Sequence, residues 1–253
     1  MSFFYLGVYW PAVRPLTLRQ YTDLTRSFLQ LLEGIHPAFR SLEWVGDRPN
    51  SAIDLSSNLS NLDELIYQHA RFDETIYQNT NPDGTPSWQS VGYLGYSMDF
   101  GTGKSARAGG VSIGIKAGGY DIPTPNAIRI AVPLPGDTTF PHREFYDYDF
   151  LKGLFTKMIA FWKPANGLVT MPPFSEVVVE DALPYVGWLT YLKDPRAAAL
   201  RNCDALRGLT FEEMPGGGTL ISLDKTIISP TNFAQVEKAR CLRRMLVAER
   251  IVT

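Results

Sequence analysis

The sequence is poor in the residues and segments that mark several large classes of protein. Only two of its 253 residues are cysteines, Cys203 and Cys241, too few for a disulfide framework or a cysteine-rich zinc motif. No run approaches the roughly 18 apolar residues that a membrane-spanning helix needs. The first residues lack the positive charge and apolar stretch of a signal peptide. These features predict a cytoplasmic protein without a membrane segment.

The chain also lacks an excess of either positive or negative charge. The chain has 24 basic and 26 acidic residues, so its formal net charge is −2. A balance this close to zero argues against direct binding to nucleic acid. Hydrophobic residues make up 45% of the chain and charged residues 20%, which predicts a well-packed core. The length is compatible with a single compact domain over residues 1–253.

Motifs for catalysis or cofactor binding are scarce. Residues 101–105, Gly-Thr-Gly-Lys-Ser, resemble the end of a phosphate-binding loop, but Met98 occupies a position where that loop needs glycine. The sequence separates its three histidines widely, so we expect no metal site. We likewise expect no cofactor and no catalytic residues. The enzymatic alternative is a small cytoplasmic hydrolase with a dispersed active site, for example a cysteine–histidine pair.

Helix and strand patterns, in contrast, are regular. Thr17 and Gln20 form a capping box ahead of apolar residues at helical spacing, which predicts a helix over 17–33. Asp149 is predicted to cap a second amphipathic helix over 149–163, which ends before Pro164. Between these helices, alternating apolar and polar residues predict half-buried strands.

Two similar stretches indicate an internal repeat. Residues 92–99 and 187–194 share Gly, an aromatic residue, Leu, one spacer, Tyr, two spacers and Asp, and a Gly-Gly turn into a strand follows each. These short matches predict two strand–helix–strand–strand–strand halves, 1–120 and 121–253. The expected fold class is α+β, with mostly antiparallel sheets and helices packed on them. The proposed equivalent elements are strand 3–10, helix 17–33 and strands 39–45, 91–99 and 110–117, against strand 127–134, helix 149–163 and strands 175–180, 185–192 and 219–223.

Residues 144–149, Glu-Phe-Tyr-Asp-Tyr-Asp, concentrate acidic and aromatic side chains just before the second predicted helix. Helix N-termini favour acids, so capping and dipole compensation explain part of this composition. The functional alternative is a protein-binding patch, because tyrosine offers a large contact area and acids complement a basic partner. The residues predicted to bind a partner here are Glu144, Tyr146, Asp147, Tyr148 and Asp149.

A polar loop over residues 78–89 is the second candidate. It contains the turn sequence Asn-Pro-Asp-Gly and, four residues after that turn, a tryptophan. An aromatic side chain in a long polar loop needs either a slot in the core or a partner. We therefore add Asp83 and Trp88 to the predicted partner-binding residues.

Three segments resemble a known family. They are residues 4–10, Phe-Tyr-Leu-Gly-Val-Tyr-Trp, with the helix that follows, residues 187–192, Gly-Trp-Leu-Thr-Tyr-Leu, and the Gly-Gly-Thr-Leu-Ile segment at 217–221. Together they resemble the immunity protein 52 family of bacterial polymorphic toxin systems, over nearly the whole chain. The resemblance implies a non-enzymatic antidote encoded beside a toxin, and it brings no active-site residues.

The same resemblance implies that the partner is a nuclease of restriction-endonuclease type, delivered by type VI secretion. An antidote acts by tight binding, either by covering the active site of the toxin or by blocking its assembly. Cations that hold phosphate in a nuclease active site would suit the acidic and aromatic residues at 144–149.

Overall fold

The computed structural model describes residues 3–46, 52–56, 58–69, 77–102, 109–179 and 185–251. The chain forms two compact units. The terminal unit comprises residues 1–8 and 132–253, and the central unit comprises residues 9–131. Strands β1 (Phe3–Val13) and β8 (Tyr120–Pro133) each contribute residues to both units.

The central unit is built on an antiparallel sheet. After the second part of β1 its strands lie in the order β8, β7 (Ser112–Ala117), β6 (Tyr96–Gly101), β2 (Glu43–Trp44) and β3 (Ile53–Asp54). The pairs from β8 to β3 are all antiparallel. A separate two-stranded sheet joins β4 (Tyr77–Gln78) to β5 (Val91–Gly92).

The helix α1 (Leu18–Ile35) follows β1 and confirms the first predicted helix. The Thr17 hydroxyl accepts from the Gln20 backbone N–H at 3.2 Å, and the Gln20 side chain accepts from the Thr17 N–H at 3.0 Å, which completes the capping box. The Tyr21 hydroxyl donates to the Ile115 carbonyl at 2.8 Å, so α1 lies against β7. A shorter helix, α2 (Leu62–His69), packs beside α1. The buried face of α1 consists of Leu18, Tyr21, Thr22, Thr25, Phe28, Leu29 and Leu32.

The terminal unit contains a second run of strands. After the first part of β1 the order is β9 (Asn166–Thr170), β10 (Leu189–Leu192), β12 (Thr219–Ser222) and β11 (Thr210–Glu213). The helix α3 (Tyr148–Trp162) packs on one face, where a Cβ at Gly167 would lie 3.0 Å from the Phe155 ring and 2.9 Å from the Gly7 carbonyl oxygen. Every residue of β10 and β12 is buried, so both faces of this sheet are covered. The other α-helices of this unit that the structure describes are α4 (Pro172–Val178), α5 (Arg196–Ala199) and α6 (Phe233–Ala248).

The prediction of an α+β fold with antiparallel sheets is confirmed, but one predicted strand is wrong and another is much shorter than predicted. Residues 172–178, which overlap the predicted strand 175–180, form α4, because two prolines occupy its first turn and preset helical geometry there. Three successive valines suggested a strand, and this first turn overrode their β propensity. In the predicted strand 39–45, a 3-10 turn over Pro37–Phe39 leaves only the two-residue β2.

The predicted repeat is not confirmed. In the motif shared by residues 92–99 and 187–194, strand β6 begins at the fifth position whereas β10 begins at the third. The two compact units divide the chain after residues 8 and 131, not after residue 120. None of the helices that the structure describes combines the length and the apolar character needed to cross a bilayer.

Candidate partner-binding surfaces

The predicted patch at residues 144–149 spans the end of a 3-10 turn, Arg143–Tyr146, and the start of α3. Tyr146 is half-buried, and its hydroxyl donates to the Pro133 carbonyl at 2.7 Å. Its ring packs edge-on against Phe4, with 6.0 Å between the centroids. Burial raises the pKa of Tyr146 to about 12. Much of the Tyr146 side chain therefore packs inside the terminal unit and is not available to a partner.

Tyr148 lies deeper than Tyr146. It is only 9% exposed, and its hydroxyl donates to the Ser222 hydroxyl oxygen at 2.8 Å. Its ring lies against Trp188, with 5.9 Å between the centroids. Trp188 is fully buried, and its indole N–H donates to the Asp224 carbonyl at 2.8 Å. In this conformation Tyr148 offers a partner almost no area, although the sequence placed it in the patch.

The acidic residues of the patch do reach solvent. Asp147, and not Asp149 as predicted, caps α3: its carboxylate accepts from the Phe150 N–H at 2.9 Å. Asp149 is exposed in the first helical turn, where a negative charge is favourable. The Glu144 carboxylate is exposed and lies 3.7 Å from His142 Nδ1. The structure thus presents three carboxylates, here called the acidic patch: Glu144, Asp147 and Asp149.

The polar loop of the central unit contains a hydrogen-bonded turn. The Asn81 N–H donates to the Thr85 carbonyl at 2.9 Å, and the Gly84 N–H donates to the Asn81 carbonyl at 2.9 Å. Asp83 is exposed, and one carboxylate oxygen accepts from the Thr85 hydroxyl at 2.6 Å and from its N–H at 3.0 Å. These hydrogen bonds hold the pKa of Asp83 below its ordinary value. Asp83 therefore stabilises the turn and keeps its charge on the surface.

Trp88 is held against α1 by its backbone and by its ring. The Arg19 N–H in the first turn of α1 donates to the Trp88 carbonyl at 3.0 Å, and the Leu18 N–H donates to the Ser90 carbonyl at 2.9 Å. The loop thereby satisfies donors that a helix N-terminus leaves without intrahelical partners. The Arg19 guanidinium lies over the indole at 3.9 Å from its centroid, a cation–π contact. The Tyr67 ring packs 5.2 Å away, and Trp88 stays half-buried.

A carboxylate fixes the arginine that stacks on Trp88. Asp63 accepts from Arg19 at 2.8 Å and also from Arg26. Burial alone would raise the pKa of Asp63, but the hydrogen bonds and charges of the two arginines outweigh it and hold that pKa below its ordinary value. We call this arrangement the Trp88 cluster: Arg19, Arg26, Asp63, Tyr67 and Trp88.

Sequence reasoning identified only Trp88 among the members of this cluster. Arg19 lies 69 positions before Trp88, and Asp63 lies 44 positions after Arg19. No local pattern connects such distant residues. The one sequence signal available was that Arg19 falls on the polar side of a predicted amphipathic helix.

Comparison with known proteins assigns the whole chain. A sequence model of the family described as immunity protein 52 matches residues 2–253. The chain belongs to this family. It is therefore an immunity protein, and family membership implies a cognate toxin as its binding partner.

One of the solved structures similar to this immunity protein is described as "Pseudomonas aeruginosa T6SS protein PA0821". The two chains are 17% identical, with a TM-score of 0.51 over 96% of this chain and 73% of the other. At this identity the likeness concerns the fold alone. No curated protein matches the sequence.

Proposed function

We propose that this immunity protein neutralises a nuclease toxin by binding it directly in the cytoplasm of the cell that makes both. The observation that carries the proposal is the match of the immunity protein 52 family to residues 2–253. The similar Pseudomonas aeruginosa structure is that of a type VI secretion protein, which supports this route for delivery of the toxin. The proposal assigns no catalytic step to the antidote.

The Trp88 cluster supports a binding role because of its residue types and because its side chains are already held in place. Tryptophan, arginine and tyrosine are the residue types enriched at the energetic centres of protein interfaces. Tyr67 is 37% exposed, and the Arg19 side chain is 39% exposed. Since ion pairs, stacking and backbone hydrogen bonds already fix these side chains, binding would cost little conformational entropy.

The acidic patch supports the nuclease part of the proposal through charge. Three exposed carboxylates at one helix N-terminus complement a surface that holds phosphate with cations. We propose that Glu144 and Asp149 contact such a surface of the toxin, with Asp147 both capping α3 and adding charge. The tyrosines of this segment support the patch from beneath.

The function is tested with the product of the neighbouring toxin gene. Producing the toxin alone in a host is expected to arrest growth and degrade DNA, and producing both proteins is expected to restore growth. A catalytically inactive toxin is expected to copurify with this chain at 1:1 stoichiometry. No complex together with no rescue would reject the proposal. Rescue without inhibition of DNA cleavage in vitro would reject the nuclease as the target.

The two surfaces are tested with variants of the antidote. Trp88→Ala is expected to weaken binding by about 30-fold or more, the loss typical of an interface hot spot. The matched control is Phe233→Ala, because Phe233 is 75% exposed in the terminal unit and is expected to leave affinity unchanged. Charge reversal by Glu144→Lys with Asp149→Lys is expected to lower the affinity for the toxin. It is also expected to make that affinity less dependent on salt concentration. Wild-type affinity in either variant would remove that surface from the interface.

A further inference from the structure

One face of the sheet in the central unit is open and carries two neighbouring cations. Strand β7 alternates between buried and half-buried residues along its whole length. Its buried residues Ile113 and Ile115 pair with Ile130 and Ile128 of β8, on the side of the sheet that α1 covers. The opposite side is here called the open face, and its members include Ser97, Asp99, Ser112, Gly114, Lys116, Arg129 and Ala131.

The strand register places the two cations next to each other. Gly114 pairs with Arg129 across the ladder, and Lys116 lies two residues further along β7, so both charges occupy the same face. Such diagonal neighbours lie roughly 7–8 Å apart in an antiparallel pair. Most of the surrounding residues are glycine, serine or alanine, so the two long side chains extend beyond their neighbours.

The two cations share this face with one carboxylate, that of Asp99. Neither Lys116 nor Arg129 forms an ion pair with any residue that the structure describes. Asp99 lies on the same face, and its carboxylate leans over Gly114, the residue that pairs with Arg129, with Oδ1 3.0 Å from the place a Cβ would take there. Two cations and one carboxylate give these positions of the face a net positive charge. Arg129 is exposed, and its guanidinium carbon lies 5.9 Å from the centroid of the Tyr9 ring.

The two cations are near enough to interact, but as diagonal neighbours they are further apart than the directly opposite like charges that destabilise a sheet. Burial and the charge of Arg129 hold the pKa of Lys116 below its ordinary value. An anionic group placed between the two side chains would relieve this repulsion.

We propose that the open face, through Lys116 and Arg129, docks an acidic segment of the cognate toxin. The inference rests on the proposed function and adds a surface and a chemistry to it. The partner segment carries at least two carboxylates, one for each cation. Small residues around the cations let an extended or helical segment approach the sheet closely.

The proposal is tested by titrating the catalytically inactive toxin into three forms of the full-length antidote. Lys116→Glu with Arg129→Glu is expected to weaken binding about 100-fold or more at low salt, because two attractive contacts become repulsive. The matched control, Lys157→Glu with Lys225→Glu, changes net charge by the same amount at two exposed lysines of the terminal unit and is expected to leave affinity unchanged. Equal losses in both double variants would overturn the proposal, since a general charge effect would explain them.

A neutral pair separates binding from folding. Lys116→Gln with Arg129→Gln removes both charges and keeps polar side chains on the open face, so its melting temperature is expected to stay close to that of the wild type while toxin affinity falls about 10-fold. Wild-type affinity in this variant would overturn the assignment of the open face and leave the proposed function intact. Absence of binding by the wild type would reject the proposed function itself, and the open face with it. Binding of a DNA duplex by the wild type, lost in the variant without loss of toxin affinity, would overturn the protein partner in favour of nucleic acid.

Discussion

Variants of Asp147 can separate the contribution of this residue to stability from its contribution to toxin binding. Its carboxylate accepts the Phe150 N–H at 2.9 Å and so caps α3. Asparagine caps helices about as well as aspartate, whereas alanine cannot accept this hydrogen bond. Asp147→Ala and Asp147→Asn therefore remove the same charge, but only the first removes the cap.

The expected magnitudes follow from that geometry. Loss of an N-cap costs about 1 kcal/mol, and the lost interaction of a negative charge with the helix dipole adds about 0.3–1 kcal/mol at an exposed site. Asp147→Ala is thus expected to lower the free energy of unfolding by about 1–2 kcal/mol. Asp147→Asn is expected to lower it by less than about 1 kcal/mol, which is the dipole contribution alone.

The assay is urea unfolding at pH 7 followed by circular dichroism, with toxin affinity measured on the same preparations. For a domain of this size, 1 kcal/mol corresponds to a shift of about 2–4 °C in melting temperature. If the acidic patch binds the toxin, both variants lose affinity alike, although their stabilities differ. Equal destabilisation by alanine and asparagine would refute the capping argument. Loss of affinity in the alanine variant alone would show that helix fraying, and not charge, affects binding.

Three further predictions concern the interior and the salt-bridged cluster. Tyr148→Phe is expected to cost about 1 kcal/mol by deleting a buried hydrogen bond, with unchanged toxin affinity; a larger effect on affinity than on stability would contradict its buried position. Gly187→Ala is expected to cost about 2 kcal/mol or more in unfolding experiments, because the new Cβ would lie 2.3 Å from the Val169 carbonyl oxygen. Its control, Gly153→Ala, meets nothing within 4 Å and is expected to be neutral or stabilising. Because the pKa of Asp63 is lowered in the folded state, its stabilising contribution is present above about pH 4 and is lost as pH falls through the folded pKa. The stability difference between Asp63→Asn and wild type is therefore expected at pH 7 in low salt and should shrink as the pH falls below about 4; a difference that does not shrink in acid would contradict this reasoning.

Elements whose signals are local could be predicted from the sequence alone. A capping box and a repeating apolar face specify α1, since neighbouring turns of one helix bring those residues together wherever the helix lies. The existence of α3 was equally clear, but its N-cap was misplaced by two residues. The preceding Asp147 supplies the cap because the first turn includes Tyr148, which must turn inward to reach Ser222. Family membership also followed from sequence, because it rests on patterns spread along the whole chain.

The surfaces that the chain presents, in contrast, follow from its tertiary contacts. Two tyrosines that looked available for a partner turned out to be held by carbonyl and hydroxyl groups distant in sequence. Lys116 and Arg129 belong to different strands, and a shift of one residue in their register would place them on opposite faces of the sheet. The Trp88 cluster likewise depends on contacts among a loop and two helices. Local sequence patterns encode secondary structure, but surface chemistry depends on which distant side chains packing and strand register bring into reach.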